Sequence, residues 1–368
     1  MLPEKCHEFE CSGYWGLLPV LLLGIIGCSA NLLIMNGPGF KGPSFFFLRA
    51  LSVSDMLYLF FSVGNFMEIM FFKSWSHSWS AAYYWVHWDI VIVNIFITFS
   101  GFLIVILTID RYHCICQPTK QRDNYPTLYT LLAFFIAFLL QLPQFMEKVI
   151  VFECYRSSLN VEVCGCSPDQ SSNNTCGYIS NVRDHVLTTY PWITYTIINE
   201  LIAKIIPAFL LVVLNVLMIR GYKEALKRRR MMSSCRKITE DTEEVKGVAR
   251  DQTHTVRWKV SVGHSECKEE SNKASKKLKM KKQRKSRSKL FNKKEKNLIN
   301  LLLLLGCVFF ITNLPIALAK ILLACGYKEE KYFEEFVVLS NILEVFFAAS
   351  NFYLYCLFNV QVRQKVAI

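Results

Sequence analysis

The sequence predicts an all-α membrane protein, a bundle of seven transmembrane helices. Three observations carry that expectation. Of 368 residues, 52% are apolar and 14% aromatic, with a positive mean hydropathy; seven apolar stretches are long enough to cross a bilayer as helices; and the whole net charge falls in one segment. Such a composition excludes a disordered chain and departs from an ordinary soluble enzyme.

The spans are expected at about 15–36, 45–72, 82–110, 127–152, 191–220, 297–325 and 334–357, so that 15–357 forms one transmembrane domain. Each reaches the roughly 20 residues that the hydrocarbon layer requires, and buried helices of soluble proteins rarely keep that length seven times over. The third illustrates the pattern: no ionisable side chain occurs from Val91 to Ile109, and then Asp110, Arg111 and Tyr112 come at once. Pro207 interrupts the fifth span and Pro315 the sixth, each removing a backbone hydrogen bond, as a static kink or as a hinge.

Residues 1–16, MLPEKCHEFECSGYWG, lack the basic segment and small-residue cleavage site of a secretory signal, so the first span is expected to insert uncleaved behind an extracellular N-terminus, 1–14. Residues 221–296 hold 25 of the 42 Lys+Arg but 10 of the 29 Asp+Glu. Their local charge of +15 exceeds the +13 of the chain. The basic runs KEALKRRR (223–230) and KSRSKLFNKKEK (285–296) abut spans, which makes 221–296 a cytosolic loop by the positive-inside rule. A plasma-membrane, multi-pass topology with the N-terminus outside is the consequence. The basic balance is thus explained without nucleic acid.

Seven cysteines fall on or near the outer face, where disulfides persist. Cys6, Cys11, Cys154, Cys164, Cys166 and Cys176 are disulfide candidates; with Cys325 the number is odd, so at least one thiol is free or paired elsewhere, and spacing does not give the connectivity. Asn173, in Asn173-Asn174-Thr175, is a glycosylation acceptor in the same outer loop.

Ionisable and amide side chains inside spans need a partner, a wet cavity or a function. Asn31, Asp55, Ser100 and Asn351 can converge across four spans, as packing contacts taken singly or as a polar or cation site taken together. Nearer the outer side, Asp89, Asn94, Glu200, Lys204, Lys320 and Glu344 are candidate pocket residues. Glu200 and Lys204 can neutralise each other at i and i+4, whereas Glu344 has no such nearby base. Acidic outer loops with these carboxylates suggest a basic or amidated peptide, with Tyr190, Trp192 and Tyr195 as aromatic surface; the alternative is a solubilising acidic face and an interfacial aromatic belt.

These landmarks resemble the rhodopsin-like (class A) G-protein-coupled receptors across all seven spans. GCSAN at Asn31, LSVSD at Leu51 and Asp55, DRY at 110–112, Pro207, Pro315 and NFYLY at 351–355 stand in that family's order. CLFNVQVRQK looks like its short cytosolic amphipathic helix, expected at 358–368, and NLP with NFxxYC looks like the invertebrate FMRFamide-type neuropeptide receptors. The resemblance implies a receptor that passes binding of an extracellular peptide ligand to a heterotrimeric G protein. It implies membrane lipids as surroundings and no cofactor beyond a sodium ion in the core.

It also implies roles. Arg111 would pair with Asp110 and with Glu295, flanked by Tyr112, and with Asn351 and Tyr355 as further switch residues. Such a partly solvated pair contributes about 1 kcal/mol, and opening it would free Arg111 for the G protein. Glu295 could equally balance Lys293, Lys294 and Lys296.

Departures stand beside the matches: Val86 where the family has its third-helix disulfide cysteine, Asn215 for a tyrosine, Asn313 for a tryptophan and Phe352 for a proline. Val93 and the absence of Lys from 333–357 exclude an amine ligand and a retinal Schiff base by resemblance. Enzyme motifs are missing from the chain. A chemosensory receptor for small external molecules is the alternative, and a transporter, which would show internal repeats, a weaker one.

Overall fold

A computed structural model of the chain describes residues 8–37, 42–67, 78–116, 125–156, 174–182, 189–228, 231, 296–297, 299–327 and 331–358. Seven helices are long and apolar enough to cross a membrane: α1 (Glu8–Met35), α2 (Pro43–Met67), α3 (Trp79–Cys116), α4 (Pro126–Met146), α5 (Tyr190–Arg228), α6 (Ile299–Ala324) and α7 (Lys331–Phe358). The chain is therefore an all-α membrane bundle. The amphipathic helix expected at 358–368 falls almost wholly outside the described residues.

Helix ends differ from the apolar stretches for local reasons. The fourth stretch leaves the helix early: Pro143 cannot donate to the ladder, the last turn tightens into a 3-10 turn at Leu142–Met146, and the chain turns extended. The next segment, KVIVFECYR, is β-branched and aromatic and forms β1 (Lys148–Arg156), paired antiparallel with β2 (Asn174–Val182). In α5 a π-turn at Leu201–Ile205 precedes Pro207, whose missing N–H relieves the ladder there. A second π-turn, Tyr84–Trp88, lies near the start of α3.

α1 packs on α2 and α7, α2 on α3, and α3 on α4 and α5. Leu21, Leu51, Leu59, Leu103, Ile104, Leu211, Leu305, Phe309 and Phe347 meet in the core, while Leu33, Phe60, Phe135, Leu139, Phe209 and Ile311 are exposed. An apolar outer surface of this kind suits lipid rather than water.

Small residues let the helices close up. A Cβ on Gly24 would stand 2.7 Å from Leu59 Cδ1 and 2.8 Å from Ala349 Cβ, so α1 meets α2 and α7 there. Gly101 of α3 lies beside Ala203 of α5, and Cys116 beside Gly221. Both numbers rise together, so the two helices run parallel. Arg111 is ten residues past Gly101, which sets it about 15 Å along the axis from the level of Ala203.

Candidate functional site

Three polar groupings lie along the bundle. At its centre Asp55 is fully buried and accepts hydrogen bonds from Ser100 Oγ (2.7 Å) and Asn351 Nδ2 (2.6 Å). These three side chains are brought together from α2, α3 and α7. Asn31 donates instead to Ser52 Oγ (2.5 Å), whose hydroxyl donates to Leu48 O (3.0 Å). Ser52 is absent from the residues that sequence reasoning selects; its place three residues before Asp55, on the same helix face, is the available signal.

Asn31 Oδ1, Asn351 Oδ1 and the buried Tyr355 hydroxyl have no hydrogen-bond partner among the described residues. Buried oxygens without partners call for water or an ion. One carboxylate, hydroxyls and amide oxygens are hard donors that fit a small hard cation better than a transition metal. Among the described residues no group of three or more His, Cys, Asp or Glu could hold a metal ion.

Towards the end of α3, Asp110 is buried and its Oδ2 accepts from Ser44 Oγ at 2.5 Å. The same oxygen lies 3.9 Å from Arg111 Nε, whose side chain keeps 22% exposure. Ser44, in the first turn of α2, escapes sequence reasoning because nothing in a lone serine near a helix start marks a contact with α3. Tyr112 packs half-buried on the core, with its ring edge-on to His113. Glu295 lies outside the described residues.

Between these groupings Asn313 Nδ2 donates to Phe309 O and Thr312 Oγ1, both at 3.1 Å, so the amide is turned onto its own helix. The aromatic contact between α6 and α7 is made by Phe309 and Phe347, edge to face at 5.3 Å. Asn215 is buried against Gly306, where a Cβ would stand 2.6 Å from Asn215 Nδ2.

At the other end, Lys204 Nζ lies 2.6 Å from Glu344 Oε1 and 3.7 Å from Glu200 Oε2, and Lys320 Nζ lies 3.3 Å from Glu200 Oε1. This corrects the sequence expectation for Glu344: its base comes from α5, 140 positions away, which i and i+4 spacing along one helix cannot show. The four charges alternate in sign across α5, α6 and α7. Three are buried, and Lys320 is 31% exposed.

Asn94 belongs to a different group. Its Nδ2 donates to Gln144 Oε1 (2.7 Å), Gln144 Nε2 to Gln141 Oε1 (2.6 Å) and Gln141 Nε2 to Thr98 Oγ1 (2.8 Å). Asn199 Nδ2 also reaches Gln141 Oε1, at 3.3 Å. An amide chain thus ties α3, α4 and α5 together. Asp89 is buried directly after the π-turn of α3. Tyr190 is exposed, while the Tyr195 hydroxyl donates to Leu140 O (2.8 Å).

Cys6, Cys164, Cys166 and Asn173 lie outside the described residues; the backbones of Cys11, Cys154 and Cys176 are described. Cys325 is free.

A seven-helix membrane bundle with a buried Asp–Ser–Asn core and an Asp–Arg–Tyr triplet near the end of its third helix is the architecture of a seven-helix receptor. The sequence model of the family described as "7 transmembrane receptor (rhodopsin family)" matches residues 31–357, and the chain belongs to that family. Proteins of that family are receptors and not enzymes.

Among curated proteins it is similar to two probable G-protein coupled receptors of Caenorhabditis elegans. AH9.1 is 26% identical over 238 residues, 61% of this chain and 53% of that protein. B0563.6 is 22% identical over 352 residues, 93% and 66%. The sex peptide receptor of Drosophila melanogaster is 23% identical over 250 residues, 63% and 55%. The chain thus spans between about half and two thirds of the length of these relatives. None of the three carries the FMRFamide description.

Proposed function

We propose that the chain signals as a G-protein-coupled receptor at the plasma membrane, carrying the binding of an extracellular peptide to a heterotrimeric G protein. The observation that carries this reading is the buried charge chain Glu344–Lys204–Glu200–Lys320, at the opposite end of the bundle from Arg111. Alternating charges that join α5, α6 and α7 respond to any charged ligand entering among them. Membership in the rhodopsin family supports a G protein as partner, and the printed name of the sex peptide receptor supports a peptide as ligand class. The FMRFamide-type subfamily is part of the same proposal.

With the N-terminus outside, the odd-numbered helices run inward, which makes the Asp110–Arg111 end cytosolic and the charge chain extracellular. A guanidinium or amidated end of a peptide would compete with Lys204 or Lys320 for Glu200 and Glu344, with Asp89 as a further candidate contact and Asn94 at similar depth but in the Gln141–Gln144 network on another face. Each exchange replaces one charge-assisted hydrogen bond by another, so its net energy is modest. A modest bias suffices, because a two-state switch has a gap of only a few kcal/mol.

Arg111, held by Asp110 and, as the resemblance implies, by Glu295, would then be released towards the G protein. Asn351 and Tyr355 would relay the shift between core and cytosolic end. A sodium ion bound by Asp55, Ser100, Asn351 and Asn31 would add positive charge beside Asp55 in the resting bundle. Glycosylation of Asn173 fits the same sidedness.

Expression with promiscuous G-protein reporters and a library of amidated neuropeptides tests the reading. A peptide-dependent signal is expected. Solute flux without any G-protein response would overturn it in favour of a transporter.

A further inference from the structure

We propose that Cys154 and Cys176 form a disulfide that closes the β1–β2 hairpin on itself, in place of a covalent bridge from this hairpin to α3. The proposal rests on the receptor reading only in taking the hairpin to be extracellular, where disulfides persist.

Register is the first support. The two strands pair residue for residue from Lys148 with Val182 to Arg156 with Asn174, and Cys154 and Cys176 are direct partners in that ladder. Directly opposed Cα atoms of an antiparallel pair stand about 4.5 or 5.5 Å apart. Both spacings lie inside the roughly 4.4–6.8 Å that a disulfide spans. A slip of one residue would set Cys154 opposite Thr175 or Gly177, so the pairing belongs to this register.

The second support is what α3 offers. Val86 occupies the position where a bridging cysteine would be expected by resemblance, and it is buried within the π-turn Tyr84–Trp88, against which β1 packs. The cysteines of α3 are Cys114 and Cys116, at its far end. No thiol of α3 can therefore reach the hairpin.

Cysteine arithmetic is the third. Of the seven outer cysteines Cys325 is free, which leaves an even number to pair.

The chemistry is an ordinary oxidation. Two thiols lose two protons and two electrons as one S–S bond forms, and a disulfide oxidant of the secretory pathway accepts them through a mixed disulfide and becomes a dithiol. The closed ring runs from Cys154 to Cys176 and contains Cys164, Cys166 and the acceptor Asn173. The hairpin then holds its shape by its own covalent closure and meets α3 through packing.

The test is a disulfide map of the full chain, purified from membranes without reductant and blocked with N-ethylmaleimide. After deglycosylation, trypsin and Asp-N isolate Cys154 in Val149–Arg156 and separate Cys176, within 169–183, from Cys164 and Cys166. The expected result is those two peptides joined and released by reduction. In addition, Cys154→Ser should make Cys176 the one newly alkylated thiol of the hairpin, and Cys176→Ser should do the same for Cys154. Alkylation of Cys154 in the unmutated chain, or its linkage to Cys6, Cys11, Cys164 or Cys166, would overturn the proposal. The map of the unmutated chain decides even where a serine variant fails to fold. It is also independent of G-protein signalling, so its failure is distinct from failure of the receptor reading.

Discussion

Lys204 of α5 and Glu344 of α7 form a buried ion pair at 2.6 Å, and Lys204 is shared with Glu200 one turn away. Removing one partner leaves the other charge in a low-dielectric interior. Losing a partner of a buried pair typically costs about 3–5 kcal/mol, whereas replacing both by apolar residues of similar volume is often close to neutral. Lys204→Met alone should therefore lower the melting temperature of the detergent-solubilised chain. Lys204→Met combined with Glu344→Leu should recover a large part of the loss. A double variant as unstable as the sum of the singles would show that the pair acts through packing alone.

Reversing Glu344 to lysine places two cations together, and by the proposed function it should cut peptide potency by at least about tenfold, the equivalent of 1.4 kcal/mol. Dose–response curves at matched surface expression measure it. Unchanged potency would remove Glu344 from the pocket.

Ser44 donates to the same oxygen of Asp110 that faces Arg111. Ser44→Ala deletes a hydrogen bond to a charged group, worth about 1.5–3 kcal/mol, and lets the carboxylate lean more fully on Arg111. The expected outcome is lower basal G-protein signalling, read in the reporter without ligand. Asp110→Asn should act in the opposite direction and raise it.

The contact of Gly306 with Asn215 leaves no room for a methyl group. Gly306→Ala obliges the Asn215 amide to turn aside, since the next atom, Leu211 Cβ, stands at 3.7 Å, and should destabilise by about 1 kcal/mol. Adding Asn215→Ala should relieve most of that strain, so thermal melts of the two singles and the double form a cycle whose coupling term is the measured quantity.

Asp55 with its oxygen neighbours makes a sodium effect testable. Replacing choline by sodium at constant ionic strength should raise the melting temperature of the unmutated chain and leave that of Asp55→Ala unchanged. Equal responses would remove the ion from the core.

The bundle is legible in the sequence because an apolar run of membrane-crossing length admits few other structures, and because Asp55, Ser100 and Asn351 are costly inside it unless they meet. The contact of Glu344 with Lys204 is not legible: it depends on the relative rotation of α5 and α7, which the π-turn at Leu201–Ile205 alters by one residue. The fourth apolar stretch overruns its helix for a related reason. An apolar run is the same to hydropathy whether it is helix or strand, and here Pro143 and the β-branched residues after it decide. Depth along the bundle groups Asn94 with the charges, yet its amide joins the Gln141–Gln144 network on another face.

The most direct test of the account is guanine-nucleotide exchange on a heterotrimeric G protein, in membranes holding the unmutated chain or Arg111→Ala at equal surface density. With an activating amidated peptide, the unmutated chain should accelerate exchange several-fold, about tenfold at saturation, and Arg111→Ala should return it to background while peptide binding persists. Exchange that is equally fast with alanine at this position would contradict the account.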